Sequence, residues 1–263
     1  MSDKILRLLA RNARAAGYAA ASFLILLTVW ELAARFGGVS PALLPAPSAA
    51  ASALAEIASD GTLADHIASS LYRFAVGFSV SVLLAVILGV VFGWYNPLFR
   101  LANPVVQLLR PISPIAWMPF IVLMFGIGDM PAIVTIFIAA VFPVFLSAVA
   151  GVRSIPEIYL KVARNFGVGP VEIFWKIIFP ASFPQIMSGI HLALGSAWVF
   201  LVCGEMIGAQ SGLGYLIIDA RNNLRSDILV ADIAVIGLIG FVLDSLIRYA
   251  EGRILKRWGL EKE

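Results

Sequence analysis

The sequence predicts an all-α membrane protein with six transmembrane helices. Three observations carry that reading. Of 263 residues, 60% are hydrophobic and only 13% are charged, where a soluble domain carries about a quarter charged. Mean hydropathy is +0.94. Six apolar runs occur, each close to the ~20 residues that a bilayer core requires, and basic residues divide unequally between the segments that join them.

The first span is read over residues 17–36. It follows a basic start (Lys4, Arg7, Arg11, Arg14) and runs on through Trp30 and Glu31 without a small-x-small site. It therefore reads as a retained helix and not as a cleaved leader. Residues 40–71 hold "PALLPAPSAA" and then a weakly amphipathic stretch, expected to lie as a helix on the outer surface. Spans two, three and four are read over 72–94, 101–125 and 131–152. Pro111, Pro114 and Pro119 should distort the third. Spans five and six cover 185–207 and 228–249, with a short helix expected between them in "SGLGYLIIDARNNLRS". Residues 1–263 thus read as one transmembrane domain.

Basic residues choose the orientation. With the amino terminus in the cytoplasm, fourteen fall inside: the first four, then Arg100, Arg153, Lys161, Arg164, Lys176, Arg248, Arg253, Lys256, Arg257 and Lys262. Arg35, Arg73, Arg221 and Arg225 fall outside. The positive-inside rule then places both termini in the cytoplasm. Trp30, Tyr72, Trp94 and Tyr249 fall near span boundaries, where interfacial aromatics belong.

The residue inventory argues against chemistry in this chain. Cys203 is the only cysteine, which excludes an internal disulfide, a cysteine zinc cluster and a two-cysteine redox motif. His66 and His191 do not make a metal site, and no nucleophile–base grouping or spaced carboxylate pair is evident. The reading is a transport subunit, not an enzyme, with no cofactor and no nucleic-acid partner. No G-x-x-x-x-G-K-[ST] loop occurs. If ATP drives this protein, another chain must bind it.

One cytoplasmic segment, residues 153–184, departs from the lipid-compatible pattern. "SIPE" at Ser154–Glu157 reads as a capping box opening a short helix. Ile158, Val162 and Phe166 form an apolar stripe along it. Gly167 suits a left-handed stop. Pro170 opens a second helix carrying Val171, Phe174, Trp175 and Ile178, which Pro180 and Pro184 should end before span five. Two amphipathic helices around a Gly167-Val168-Gly169-Pro170 bend fit either a connector lying on the membrane surface or a docking element for a soluble partner.

The segment resembles the cytoplasmic signature of import permeases of ABC transporters: Glu-Ala-Ala, three residues, Gly, nine residues, Ile, any residue, Leu, Pro. Here the order is Lys161-Val162-Ala163, Gly167, then Ile177-Ile178-Phe179-Pro180. Ala163, Gly167, Ile177 and Pro180 match in register. Lys161, Val162 and Phe179 depart, and Lys161 puts in doubt any contact the family glutamate makes with the ATPase. "LLPAPS", "RPISPIAWMPFIVLMFGIG" and "GSAWVFLVCGEMIGAQSGLGYLI" extend the resemblance to the nitrate/sulfonate/taurine/bicarbonate branch.

The resemblance implies a type I importer permease fold with cytoplasmic coupling helices in a bacterial inner membrane. It implies a second permease copy, two ATPase subunits that bind ATP and Mg, and an extracytoplasmic substrate-binding protein. The coupling residues it implies are Lys161, Ala163, Arg164, Gly167, Val168, Gly169, Pro170, Ile177 and Pro180.

Polar groups inside spans mark the candidate pathway, because lipid penalises them. Arg110 supplies either positive potential for an anion or a side chain that reaches back to the inner surface. Gln107, Ser113 and Trp117 share its span. Glu205 is either an outer-gate residue, paired with Arg221 or Arg225, or an interfacial carboxylate. His191 and Ser196 are further candidates. Asp244 should pair with Arg248 at i, i+4. Gly89-x-x-x-Gly93 and Gly204-x-x-x-Gly208 permit close helix contact. The rival class is an ion-coupled secondary transporter working without ATP. It would need ion-coupling residues at the midplane and repeated halves, and neither is evident.

Overall fold

In an apolar surround every backbone amide must find its partner within the protein, and the helix does this segment by segment. The computed structural model describes residues 2–38, 40 and 42–258, with only the backbone described for 2–16, 19 and 20. Lys262 lies outside the described residues, as do the side chains of Lys4, Arg7, Arg11 and Arg14. Among the described residues there is no strand. Helices are α1 (Ser2–Phe36), α2 (Pro47–Ser59), α3 (Thr62–Trp94), α4 (Asn96–Leu109), α5 (Met118–Phe125) and α6 (Asp129–Arg153). Then come α7 (Glu157–Asn165), α8 (Pro170–Ile173), α9 (Phe179–Gly208), α10 (Leu213–Asn222) and α11 (Ser226–Arg257).

Among the described residues, four helices are long and apolar enough to cross a membrane: Thr62–Trp94, Asp129–Arg153, Pro170–Gly208 and Ser226–Arg257. The expected third span is not one straight helix. Asn96–Leu109 and Pro114–Phe125 pass the same test only together, and they are bent by 83°. Pro111 and Pro114 cause the break: neither has an N–H to donate, and Ser113, just before a proline, is extended at φ −61°, ψ 132°. The expected first span falls within α1.

Two units can be distinguished by Cα proximity. One comprises the residues up to 63 with 217–234, the other 64–216 with the residues from 235 onward. In the first, Glu31 of α1 accepts bonds from the Ser48 amide (3.1 Å) and hydroxyl (2.8 Å), so a carboxylate from one helix caps the free amides that start α2. Arg225 pairs with Glu56 at 2.7 Å and with Asp227 at 3.0 Å. The Arg225 hydrogen bond holds the Glu56 carboxyl below the usual carboxylate range.

In the second unit, α3 and α9 each approach α6 at backbone range. A methyl on Gly89 would stand 2.5 Å from Ala148 Cβ and 2.8 Å from the Phe145 carbonyl oxygen. One on Gly204 would stand 3.0 Å from Ala132 Cα, and one on Gly208 2.9 Å from Pro131 Cβ. Both small-residue motifs therefore serve contacts within this chain.

The start of α9 also differs from expectation. Pro180 and Pro184 do not separate the helix that begins at Pro170 from span five. Residues 170–208 form one 39-residue helical rod. Phe174–Ile178 is a π turn in which the Phe179 N–H bonds the Phe174 carbonyl. This wider i→i+5 turn places Pro180 in the first turn of α9, where a proline is accommodated.

Gly89→Val should lower stability by about 1–3 kcal/mol through overpacking against α6, read as a lower unfolding midpoint of the detergent-solubilised protein. Gly195→Ala, whose methyl would meet nothing within 4 Å, should leave the midpoint unchanged. Equal losses from both would remove the close-contact explanation.

Candidate functional site

The segment 153–184 has one face anchored and one face open. Ala163, Ile173 and Ile178 are buried in a cluster with Val90 of α3, Ala148 and Val152 of α6 and Ile186 of α9. Val168 and Ile177 pack against it, half-buried. Ile158, Val162, Phe166, Val171 and Trp175 are exposed, and so are Lys161, Arg164, Gly167, Gly169 and Pro170. The apolar stripe of Ile158, Val162 and Phe166 therefore points away from the core.

The bend between α7 and α8 is a Schellman motif. Gly167 has φ +73°, its N–H bonds the Arg164 carbonyl (2.9 Å), and the Val168 N–H bonds the Ala163 carbonyl (3.1 Å). Apolar contact at Ala163 and Val168 completes the motif. Two matched signature positions, Ala163 and Gly167, thus act together to set this corner.

The expected capping box does not form. Ser154 is the helical C-cap of α6 and its hydroxyl bonds the Gly151 carbonyl at 2.8 Å, so it does not reach α7. Glu157 pairs instead with Lys161 at 3.1 Å, an exposed pair of little energetic weight.

A second feature opens at the break after α4. A cavity of about 400 Å³ is lined by Arg110 and Pro114 from the break, Ser147 from α6, and Gln185, Ser196 and Phe200 from α9. Arg110 thus stands at an elbow, not one-third of the way along a straight helix. Ser196 joins it, although its hydroxyl also bonds the Ala193 carbonyl at 3.0 Å. Gln107, Ser113, Trp117, His191 and Glu205 do not line this cavity. Gln185 and Ser147 were missed. Their signal was available: Gln185 lies eleven residues, about three turns, before Ser196 on the same face of α9, and Ser147 is a polar side chain within the apolar α6.

Glu205 is fully buried and its partner is Arg73, not Arg221 or Arg225. Arg73 Nη1 lies 2.7 Å from Glu205 Oε1, and Arg73 Nε lies 2.7 Å from Asp129. The Ser70 hydroxyl (2.8 Å) and the Gly214 N–H (2.9 Å) also donate to Glu205. Arg73 Nη1 and Nη2 reach the Ser211 carbonyl and hydroxyl, both at 2.7 Å. Gly212, at φ +103°, passes so close that a methyl there would stand 2.3 Å from Glu205 Oε1. The loop after α9 is consequently pinned onto the start of α3. Arg73 was read from sequence as an outer interfacial cation. The missed signal was that a carboxylate deep in an apolar run demands a cation.

His191 sits between two carboxylates of α11, Nδ1 at 3.2 Å from Asp244 and Nε2 at 2.9 Å from Glu251. Asp244 also makes the expected pair with Arg248, at 2.7 Å. His191 is therefore a bridge between α9 and α11.

Residues 81–256 match the family described as binding-protein-dependent transport system inner membrane component. The chain belongs to this family. This permease is similar to the taurine transport system permease protein TauC of Escherichia coli (strain K12), 34% identical over 88% of this chain and 86% of that one. It is similar to a putative aliphatic sulfonates transport permease protein of Bacillus subtilis (strain 168), 32% identical over 88% and 84%. It is also similar to the nitrate import permease protein of Leptolyngbya laminosa, 33% identical over 72% and 68%. Its fold matches a chain of the inward-facing MetNI methionine ABC transporter with a TM-score of 0.52 at 18% identity, over 73% of the permease and 97% of that chain. The permease is thus an inner-membrane transport subunit with the fold of a type I importer.

Arg73→Met should destabilise the permease by about 3–5 kcal/mol, because it leaves the buried Glu205 without its cation. Arg73→Met combined with Glu205→Met should recover much of that loss. Unfolding midpoints of Arg73→Met, Glu205→Met and the double variant test this, and strictly additive losses would show that the pair is not coupled.

Proposed function

We propose that this permease forms the pathway of an ATP-driven importer for a small oxyanion of the nitrate, sulfonate, taurine or bicarbonate kind. The observation that carries the proposal is the two-faced cytoplasmic segment. Its inner face is buried against three transmembrane helices, while its outer face offers exposed apolar side chains beside a rigid Gly167 corner. Leaving Phe166 83% exposed is costly in water unless a partner covers it. The relatives named for taurine, sulfonate and nitrate transport support the choice of cargo.

Two ATPase subunits dock on this segment, one per permease of a homodimer, and they alone bind ATP and Mg. Lys161, Gly167, Gly169 and Pro170 lie on the docking side with Phe166. Ala163, Val168 and Ile177 transmit the load inward, and Pro180 joins the segment to α9. Arg164 flanks the contact. ATP binding draws the ATPases together and biases the helices between two packings. Both termini are cytoplasmic, and a binding protein delivers the anion from the other side. Arg110 supplies the positive charge that an oxyanion needs in a low-dielectric passage, with Gln185, Ser147 and Ser196 as neutral hydrogen-bonding groups.

Purification of the tagged chain from its native membrane should bring down an ATPase with ATP-hydrolysing activity, and isolation without one would overturn the proposal. Gly167→Glu should abolish ATP-driven uptake while membrane insertion persists, whereas Gly167→Asn, which tolerates φ > 0, should retain most uptake. Arg110→Gln should lower anion uptake by roughly ten- to a hundredfold, the scale of one charge-assisted contact worth about 1.5–3 kcal/mol. Unchanged uptake would remove Arg110 from the pathway.

A further inference from the structure

Two cavities meet at Trp94, the last residue of α3. One is an apolar trough of about 420 Å³, walled by Val90, Val91, Trp94 and Tyr95 on one side and by Val171 and Trp175 on the other. The second, of about 350 Å³, shares Trp94 and is lined by Arg153 at the end of α6 and by Arg164 of α7, with Glu157. The trough is not covered by this chain: Val171 is 70% exposed, Trp175 61% and Tyr95 56%. Val90 and Val91 belong to a helix apolar enough to span the bilayer. The trough therefore begins within the hydrocarbon boundary and ends where tryptophan and tyrosine collect, at the interface.

We infer that the two cavities together hold one anionic phospholipid of the inner leaflet, its acyl chain in the trough and its phosphate against Arg153 and Arg164. The leaflet rests on the orientation proposed above; the binding does not. An occupant must be apolar along one part and anionic at the end beyond Trp94, which describes a phospholipid whose headgroup carries net negative charge. Arg153 is fixed for this contact. Its Nη2 donates to Asn96 Oδ1 at 3.0 Å and its guanidinium stacks over Phe99, 3.9 Å from the ring centroid. A guanidinium has five N–H groups, so others are left for a phosphate. Glu157 shares the cavity, but Lys161 lies 3.1 Å from its carboxylate and offsets its charge. A basic pocket at the end of transmembrane helices is the arrangement that anionic headgroups recognise. Bound there, the lipid would touch α3, α6 and the cytoplasmic segment at once.

The full-length permease, with any subunits that purify with it, would be placed in phosphatidylcholine nanodiscs. Brominated phosphatidylglycerol or brominated phosphatidylcholine would then be titrated in while tryptophan emission is followed. The glycerol lipid should produce a saturable quenching phase at a several-fold lower mole fraction than the choline lipid. Trp175→Phe should shrink that phase. Arg153→Gln with Arg164→Gln should abolish the preference. Arg164→Gln alone, on an exposed helix, should weaken it about threefold, which covers the case in which the double variant fails to fold. Equal quenching by both lipids, or a preference that survives Arg164→Gln unchanged, would overturn the inference. So would a quenching phase seen only after accompanying subunits are stripped away, since the trough would then belong to a protein interface. Both faces of a nanodisc present both lipids, so this readout is independent of orientation. Arg164→Cys in a Cys203→Ala background, labelled in cells by an impermeant thiol reagent from outside, would overturn the cytoplasmic placement alone.

Discussion

Helix α6 runs between α3 and α9 at distances that leave no room for a side chain on the glycine at each crossing point. Gly89 faces Ala148, Gly189 faces Ser147, and Gly204 faces Ala132. Lipid tails give apolar side chains no reason to prefer one another, so association depends on close van der Waals contact and on hydrogen bonds, which small residues allow. Ala132, Ala140, Ala148, Ala193 and Ala197 are fully buried along the same seam. Because α9 is fixed to α6 along its length, the Glu205 network at one end and the Gly167 corner at the other share one frame.

Within that frame the two ends are stabilised by different physics. The Gly167 corner uses a backbone motif closed by apolar contact, and its polar groups remain on the surface. The loop after α9 relies on a buried ion pair in which both carboxylate oxygens of Glu205 accept hydrogen bonds. Such a network is costly to break and leaves little room for the chain around it to move. The Ser211–Gly214 turn is therefore a fixed feature, while the exposed face of α7 and α8 is available for contact.

Sequence patterns revealed what is local. Hydropathy located the four helices that are long and apolar enough to cross a membrane, proline spacing foretold that the third expected span would be distorted, and Gly167 announced the left-handed corner. The i, i+4 pair of Asp244 and Arg248 was also visible. Pairings across long stretches of chain were not. Arg73 and Glu205 stand 132 residues apart, and no local rule selects Arg73 over Arg221 or Arg225. His191 looked isolated because both its carboxylates lie on α11. The prolines at 180 and 184 misled for another reason. A break was inferred from the lost N–H groups, but a π turn upstream absorbed the first, and helix packing against α6 carried the second.

That π turn has a further consequence. It contains one residue more than the α-turn it replaces, and the wider turn absorbs that residue locally, so the helix on either side keeps its facing. Shortening the stretch Phe174–Ile178 by a single residue would restore a regular α-turn and leave Gly189, Gly204 and Gly208 turned toward α6. A second deletion, with no wide turn left to absorb it, would rotate one side against the other by about 100° and swing Glu205 out of reach of Arg73. The chemistry of this stretch can drift, since Trp175 and Lys176 face outward, and its length can drift by that one residue. Over evolutionary time this junction should accept substitutions and the loss of a single residue, and reject longer deletions.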